Sequence, residues 1–259
     1  MTGKINDKRA QLVVKDNNLI QKAKFNLTPT QQKLISYVIS LIKPTDRELQ
    51  KYEISIMDFC YLCGIDKNHF YSDFKDIIDD LDNKAFWIKT DTKVFKFRWF
   101  SEVEYMPRQG KVKVMLNSNI KAYLIDLSKN FTRYELYNIL ALKSKYSTRL
   151  YEIFKSYAFQ RVKEIDLEEL KELLCATNYS FRDFRRDILD KATAEINHFT
   201  DIDVSYETVS QGRKVVAIIF HIKPKDTFDT YNSYVNTIDE INRRNKQVKG
   251  QMSIYDLEN

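Results

Sequence analysis

The residues best suited to a chemical task lie between Asn178 and Asn197. Apolar residues recur there at the spacing of an amphipathic helix that rests on a core: Phe181, Phe184, Ile188, Ala192 and Ile196. The outward face begins with a tyrosine, two arginines and an aspartate: Tyr179, Arg182, Asp183 and Arg186. An exposed arginine fork can bind the edge of a guanine through two hydrogen bonds. These four residues are therefore predicted to read DNA bases from a helix in the major groove.

A second set of side chains is suited to phosphates, which position a protein on DNA without specifying sequence. Arg185 falls nearer the buried side of the predicted helix, so it is expected to reach a phosphate or to brace the domain. The other candidates are polar or basic residues around that helix and in the first half of the chain: Ser180, Lys143, Lys145, Arg149, Arg213, Lys214, Lys93, Lys96 and Arg98. For any single lysine, a solvated charged surface is the alternative interpretation.

The elements that must position these residues occur twice. From Leu27 the pattern runs helix, short strand, helix, turn, helix and β-hairpin, and the same order returns after Asn130. Glu53-Ile54 aligns with Glu164-Ile165, and Asp73-Phe74 aligns with Asp183-Phe184. The sequence therefore predicts an α+β fold with two tandem winged-helix domains related by internal duplication.

This repeat divides the chain into four parts. Residues 1–24 are expected to be a flexible N-terminal arm, because they are polar and show little pattern. Residues 25–127 form the first winged helix, and residues 128–225 form the second. Residues 226–259 are expected to be a mobile C-terminal tail, because spaced hydrophobic residues are too few there to build a core.

The two copies differ in charge. Across Asn68–Asn83 one lysine stands against five aspartates, a net of 1 − 5 = −4, whereas Tyr179–Arg186 has three arginines and one aspartate, a net of 3 − 1 = +2. An acidic helix repels phosphates, so the second domain is predicted to be the main DNA reader. The first domain is assigned to dimerisation and auxiliary DNA contact, with strand edges around Val112 to Leu116 as the candidate dimer surface.

The composition favours a polyanionic partner and excludes several activities. The net charge is +6 with a pI near 8.9. No apolar run approaches the length of a membrane span, and Met1 to Asp16 does not resemble a secretory signal, so a cytoplasmic protein without membrane contact is expected. The glycines do not have the spacing of a phosphate-binding loop. No cofactor is therefore expected.

Candidate metal-binding and redox residues are few. Cys60 and Cys63 form a C-x-x-C that a redox centre or half a zinc site could use, but no second pair exists, and packing in a helix is favoured. The histidines are isolated: His69, His198 and His221. A rolling-circle initiator needs a histidine pair to hold its metal. No catalytic or metal site is predicted, and the protein is not expected to be an enzyme.

Leu142 to Tyr157 carries the motif Lys-Tyr-Ser-Thr-Arg-Leu-Tyr-Glu. With the wing turn Gly212-Arg213-Lys214-Val215, it resembles the iteron-binding replication initiators of theta-replicating plasmids. That resemblance implies binding of direct repeats in double-stranded origin DNA, origin opening with a host initiator and helicase, and repression of the protein's own gene as a homodimer in equilibrium with monomer. The alternatives are a winged-helix transcription regulator and a tandem winged-helix protein-interaction subunit without DNA readout.

The C-terminal end contains a second resemblance. Gln251-Met252-Ser253-Ile254-Tyr255 is similar to the short peptide by which bacterial replication proteins dock on the sliding clamp. Gln251, Met252, Ile254 and Tyr255 are therefore candidate clamp-binding residues, with a featureless hydrophobic end as the alternative. Nearby basic residues are candidates for nonspecific DNA contact: Arg243, Arg244, Lys246 and Lys249.

Overall fold

The chain folds as two copies of one winged-helix plan that share a continuous hydrophobic core. The computed structural model describes residues 8–65, 70–89 and 92–255, with side chains for 8–65, 73–89 and 92–247. The first half contains β1 (Leu12–Asp16), α1 (Asn17–Lys22), β2 (Ala23–Lys24), α2 (Pro29–Ser40), β3 (Lys51–Ser55), α3 (Ile56–Cys63), α4 (Phe70–Asn83), β4 (Ala85–Lys89), β5 (Val94–Arg98), β6 (Phe100–Met106) and β7 (Lys111–Leu116).

The second half repeats the order and ends in a long helix. It contains β8 (Phe131–Glu135), α5 (Tyr137–Leu140), α6 (Lys145–Tyr157), β9 (Val162–Asp166), α7 (Leu167–Leu173), α8, β10 (Ile202–Gln211), β11 (Lys214–Pro224) and α9 (Thr227–Tyr255). The helix α8 begins as Phe181–Phe184, widens into a π-helical turn at Arg185–Leu189 and continues as Asp190–Phe199.

The predicted duplication is confirmed by the two wing sheets. One has the strand order β3-β7-β6, and the other has the order β9-β11-β10. In both, the strand before the second helix pairs antiparallel with the last strand of the hairpin: Ile54 lies opposite Val112, and Ile165 lies opposite Ile218. The first domain also has a sheet of order β2-β4-β5, which the repeat did not indicate.

Local sequence signals explain where the principal helices begin. Thr28 caps α2 in a reciprocal arrangement with Gln31, and Pro29 occupies its first turn. Ser55 caps α3, and Gly64 ends it with φ of 65°, a left-handed conformation that glycine adopts without strain. Ser180 caps α8 by accepting a hydrogen bond from the Asp183 amide. Arg182 and Asp183 therefore lie on the first turn of a capped helix, with Tyr179 just before the cap and Arg186 in the π-helical turn.

The prediction of a flexible N-terminal arm is wrong for residues 8–24. The strand β1 pairs with β8, so that Val13 lies opposite Tyr134. Val13 and Ile20 are buried in the core. This pairing could not be predicted from the sequence, because β1 is short and its partner strand lies more than a hundred residues further along the chain. Residues 1–7 lie outside the described part.

The prediction of a mobile tail is also wrong for the described residues after Asp226. They form α9, whose contacts reach both domains. Four positions spaced by four residues are buried: Ser233, Thr237, Ile241 and Asn245. Only one of these is apolar, which is why the hydrophobic pattern gave no signal for a packed helix. None of the described helices is long and apolar enough to cross a membrane.

The proposed dimer edge around Val112 to Leu116 is not an edge. These residues form β7, which is the central strand of its sheet and pairs with β3 on one side and β6 on the other. Val112, Val114 and Leu116 are buried. A strand with both neighbours in place has no unpaired backbone groups to offer a second chain.

The motif helix α6 connects the two domains through buried polar groups. Toward the first half of the chain, Glu152 accepts a hydrogen bond from Lys15 Nζ of β1, and it also accepts one from Tyr134 OH of β8, each at 2.5 Å. Toward the second, Tyr151 OH donates to Asp201 at 3.0 Å, and Lys155 pairs with the same carboxylate. Burial alone would raise the pKa of Glu152, but Lys15 and Arg149 hold it below its usual value.

Candidate nucleic-acid interface

The N-terminal part of α8 exposes Arg182 and Arg186, which differ in their ion pairs. Arg182 is exposed and makes no ion pair within the described part of the chain. Arg186 is 60% exposed and pairs with Asp183 at 3.0 Å and with Asp187 at 2.5 Å. Arg182 is therefore free to bind a base or phosphate, whereas Arg186 must first break its ion pairs with carboxylates.

The arginine partners of α8 form a small network that sequence reasoning did not identify. The hydrogen bond from Arg186 is the main reason that the pKa of Asp187 is lowered to about 2, and Lys191 contributes from the next turn at 3.0 Å. Asp187 thus remains charged near neutral pH. The four-residue spacing of Asp187 and Lys191 and the three-residue spacing of Asp183 and Arg186 were the signals that could have found part of the network.

Asp183 and Ser180 have a structural role at the start of the helix. The Ser180 hydroxyl donates to the Asp183 carboxylate at 2.7 Å and accepts from the Asp183 amide at 3.2 Å. Asp183 is therefore held by the cap and by Arg186, and its carboxylate is partly occupied. Tyr179 is half-buried, and its ring contacts that of Tyr146 edge-on at 6.4 Å.

Arg185 does not lie near the buried side of α8. Its side chain is 59% exposed, and it lies 3.9 Å from the Asp190 carboxylate. The π-helical turn contains an extra residue per turn, so it rotates Arg185 outward relative to a regular α-helix and buries the adjacent pair Ile188 and Leu189. Arg185 is accessible for a phosphate contact and does not brace the core.

The hairpin after α8 presents two further cations. Gly212 has φ of 61° and begins the two-residue turn between Gln211 and Lys214, as the hairpin geometry requires. Arg213 and Lys214 are both exposed at this tip. The wing of the second domain therefore carries cations that can approach a phosphate backbone.

The three candidates around α6 have different environments. Lys143 is exposed and pairs with Glu240 at 3.1 Å, while Lys145 donates to Asn26 at 2.7 Å and lies over the Tyr146 ring. Arg149 is buried, donates to the Ala23 carbonyl at 2.6 Å, and burial lowers its pKa to about 10. The prediction of a phosphate contact is therefore wrong for Arg149, because the guanidinium lies inside the protein.

The candidates of the first domain lie outside its wing hairpin. Lys93 precedes β5, and Lys96 and Arg98 lie on that strand, at the end of the β2-β4-β5 sheet. All three side chains are exposed, and the Lys96 ammonium lies 5.5 Å from the centre of the Trp87 ring. They remain candidates for phosphate contact on a surface distinct from β6 and β7.

The clamp-binding candidates lie beyond the described side chains. The backbone of Gln251, Met252, Ile254 and Tyr255 belongs to the end of α9, and their side chains are outside the described residues. Of the basic residues in the same helix, Arg243 and Arg244 pair with Glu240 at 2.9 and 3.0 Å. Arg244 also donates to the Ala141 carbonyl at 2.7 Å, so it is held within the protein.

Comparisons with known proteins agree with this geometry. The family model for the first winged helix of initiator replication proteins matches residues 12–155, and the model for the second matches residues 166–222. A replication initiation protein of Escherichia coli is 22% identical over 83% of this chain and 70% of its own length. The PI protein of Escherichia coli is 30% identical over 53% of this chain and 52% of its own length.

A solved structure has the same fold. The crystal structure of the Pi initiator protein in complex with iteron DNA superposes with a TM-score of 0.70 at 21% identity, covering 84% of this chain and 99% of that one. The two wing sheets and the helices that precede them define a tandem winged-helix protein. With both family models matched, the chain belongs to the initiator replication protein family.

Proposed function

We propose that this protein initiates plasmid replication by binding direct repeats, or iterons, in double-stranded origin DNA. The observation that carries the proposal is that Arg182 and Arg186 are exposed near the start of α8, and that the wing tip that follows this helix exposes Arg213 and Lys214. Base readout by a helix and phosphate contact by adjacent cations are the two components of sequence-specific binding. The family assignment and the similar Pi initiator in complex with iteron DNA support the same conclusion.

The proposal also assigns a different role to each of the two domains. The second domain reads bases, and the first domain contributes dimerisation and phosphate contact through Lys93, Lys96 and Arg98. The protein itself catalyses no reaction, so origin opening depends on a host initiator and helicase. Repression of its own gene as a dimer and docking on a sliding clamp through Gln251 to Tyr255 belong to the same proposal.

A footprint on the DNA flanking the gene tests this function. Protection of several direct repeats at a constant spacing is expected, and its loss in Arg182→Ala at unchanged protein concentration would tie the protection to α8. A single protected palindrome would contradict initiation and favour a transcription regulator. Absence of salt-sensitive DNA binding would favour the protein-interaction alternative.

A further inference from the structure

The terminal helix α9 touches both domains through backbone-directed hydrogen bonds. On the second domain, Thr237 Oγ1 donates to the Phe199 carbonyl at 3.0 Å, and Asn236 Nδ2 donates to the His198 carbonyl at 3.2 Å. These carbonyls belong to the last turn of α8, the helix that is proposed to read DNA. The start of α9 is therefore attached to the end of the DNA-reading helix.

The far half of α9 is attached to the first domain. Asn245 Nδ2 donates to the Tyr61 carbonyl of α3 at 3.1 Å. A Cβ atom at Gly64 would lie 2.9 Å from Arg244 Cβ, so the end of α3 lies directly against the helix. Ile241 is fully buried between these contacts.

Charged groups fix the middle of α9 at the connection between the domains. The Glu240 carboxylate is 12% exposed and pairs with Lys143, Arg243 and Arg244. Arg244 donates onward to the Ala141 carbonyl at 2.7 Å. Ala141 and Lys143 belong to the segment that joins α5 to α6, so α9 fastens that segment to α3.

This attachment differs in kind from the one made by α6. Besides its polar contacts, α6 contributes large apolar side chains to the common core, among them Leu150, Ile153 and Phe154, whereas the buried stripe of α9 is three polar residues and one isoleucine: Ser233, Thr237, Asn245 and Ile241. Residues 242–247 of α9 are all polar, so little apolar area is exposed when the far half of the helix leaves α3, and the free energy of that local release is small compared with global unfolding.

We propose that α9 is a releasable clasp that sets the mutual orientation of the two winged helices, with Arg244 and Asn245 as positioning residues for DNA binding by both domains at once. Neither residue needs to touch DNA for this role. Release of the far half of α9 would leave α8 attached to its own domain while the first domain moves relative to it.

Two natural thiols report on the clasp without DNA. Cys60 and Cys63 lie on α3 and are each 1% exposed, whereas Cys175 is exposed. In a full-length Cys175→Ser background, the double variant Arg244→Ala/Asn245→Ala should be labelled by an aromatic disulfide reagent at Cys63 about tenfold faster, because it loses the hydrogen bonds from Arg244 to Glu240 and Ala141 and from Asn245 to Tyr61. Gln247→Ala is the matched control, since its amide lies exposed on the same helix.

Faster labelling of Cys63 can come from global unfolding or from local release of α9, and the experiment must distinguish the two. Labelling is measured well below the thermal transition of each variant, and the milder Asn245→Ala is carried in parallel in case the double variant does not fold. An intermediate rate for Asn245→Ala supports the clasp. Unchanged protection of Cys63 in both variants overturns it.

The DNA measurement tests the positioning role, and it is the only part that rests on the proposed function. In the double variant the footprint on origin repeats should shorten to the contacts of the second domain, with about tenfold weaker binding. A loss of folded protein alone would reduce occupancy without shortening the footprint. A full-length footprint at unchanged affinity, despite exposed thiols, overturns the positioning role. If the wild-type protein binds no repeats, the proposed function fails, and thiol protection still decides whether the clasp exists.

Discussion

The two winged helices of this protein have equivalent cores and opposite surfaces. Phe74 and Ile78 of α4 occupy the positions of Phe184 and Ile188 of α8, and all four side chains are buried. At other positions α4 carries Ser72 and Asp76 where α8 carries Arg182 and Arg186, and Asn68–Asn83 has five aspartates against one lysine. The buried positions preserve the duplicated fold, while the other positions of the third helix differ in charge between the two copies.

The largest expected effect comes from Arg149 of α6, and it tests whether this residue belongs to the DNA-binding surface. Arg149→Ala should lower the free energy of unfolding by about 3–5 kcal/mol, because it breaks a buried polar network and leaves the Ala23 carbonyl without its donor. Urea denaturation measures this loss. The folded fraction should bind DNA with unchanged affinity. A weaker affinity at unchanged stability would place Arg149 at the DNA after all.

The next effect tests the asymmetry itself. Arg182→Ala in α8 should reduce discrimination between repeat and unrelated DNA by about 1–3 kcal/mol, as expected for loss of a bidentate contact to guanine. Lys75→Ala on α4 of the first domain is the matched control and should leave discrimination unchanged. Competition titrations with both DNAs provide the measurement. Equal losses on both DNAs would reduce Arg182 to a phosphate contact.

The sequence predicted the features that depend on residues close together in the chain, but not those that depend on distant residues or on irregular helix geometry. The core repeat and the exposed arginines followed from helical spacing, because both depend on neighbours within a few turns. The outward rotation of Arg185 could not be predicted, since a π-helical turn has no distinct local pattern. Burial of Arg149 was equally hidden, because its acceptor on Ala23 lies 126 residues away in the chain.

The packing of the terminal helix α9 could not be predicted from the sequence either. Its buried stripe contains Ser233, Thr237 and Asn245, residue types that predict solvent exposure. Thr237 and Asn245 donate to backbone carbonyls of the last turn of α8 and of α3, and Ser233 accepts from Lys225, contacts that only the folded structure brings together. Polar residues that bind backbone groups across domains carry no periodic hydrophobic signal.

A smaller effect is expected on the pH dependence of the free energy of unfolding, through Glu240 where α9 meets the segment that joins α5 to α6. Hydrogen bonding from Arg243, with help from Lys143 and Arg244, lowers the pKa of Glu240 to about 2. A carboxylate with a lowered folded-state pKa stabilises the protein above its unfolded pKa, and that contribution is lost as the pH falls toward 2. Between pH 6 and pH 3 the wild-type protein should therefore lose about 1 kcal/mol more stability than Glu240→Gln in urea denaturation. Parallel pH profiles for the two proteins would contradict this role of Glu240.

The wing tip should affect all DNA sequences alike. Arg213→Ala or Lys214→Ala should each weaken binding to repeat and unrelated DNA by the same factor and reduce the slope of log affinity against log salt by about 0.9. Affinity measured across a salt series provides the slope. Arg108→Ala near the tip of the first-domain hairpin serves as the counterpart. An equal reduction there would show that both wings contact the backbone and would weaken the asymmetry.

The smallest expected effect concerns the carboxylates that hold Arg186. Asp187 is paired with Arg186 and Lys191, so both cations must leave it when they bind phosphates or bases. Asp187→Asn removes that competition and one negative charge from the DNA-facing turn, and it should tighten binding to both kinds of DNA by about two- to tenfold at low salt. Because the pKa of Asp187 is lowered to about 2, the wild-type pair persists at every pH above about 4, and the gain should not vary between pH 5 and pH 8. The counterpart Asp76→Asn on α4 should change affinity much less if that helix faces away from DNA. An equal gain from Asp76→Asn would place the acidic helix within the electrostatic range of the phosphates.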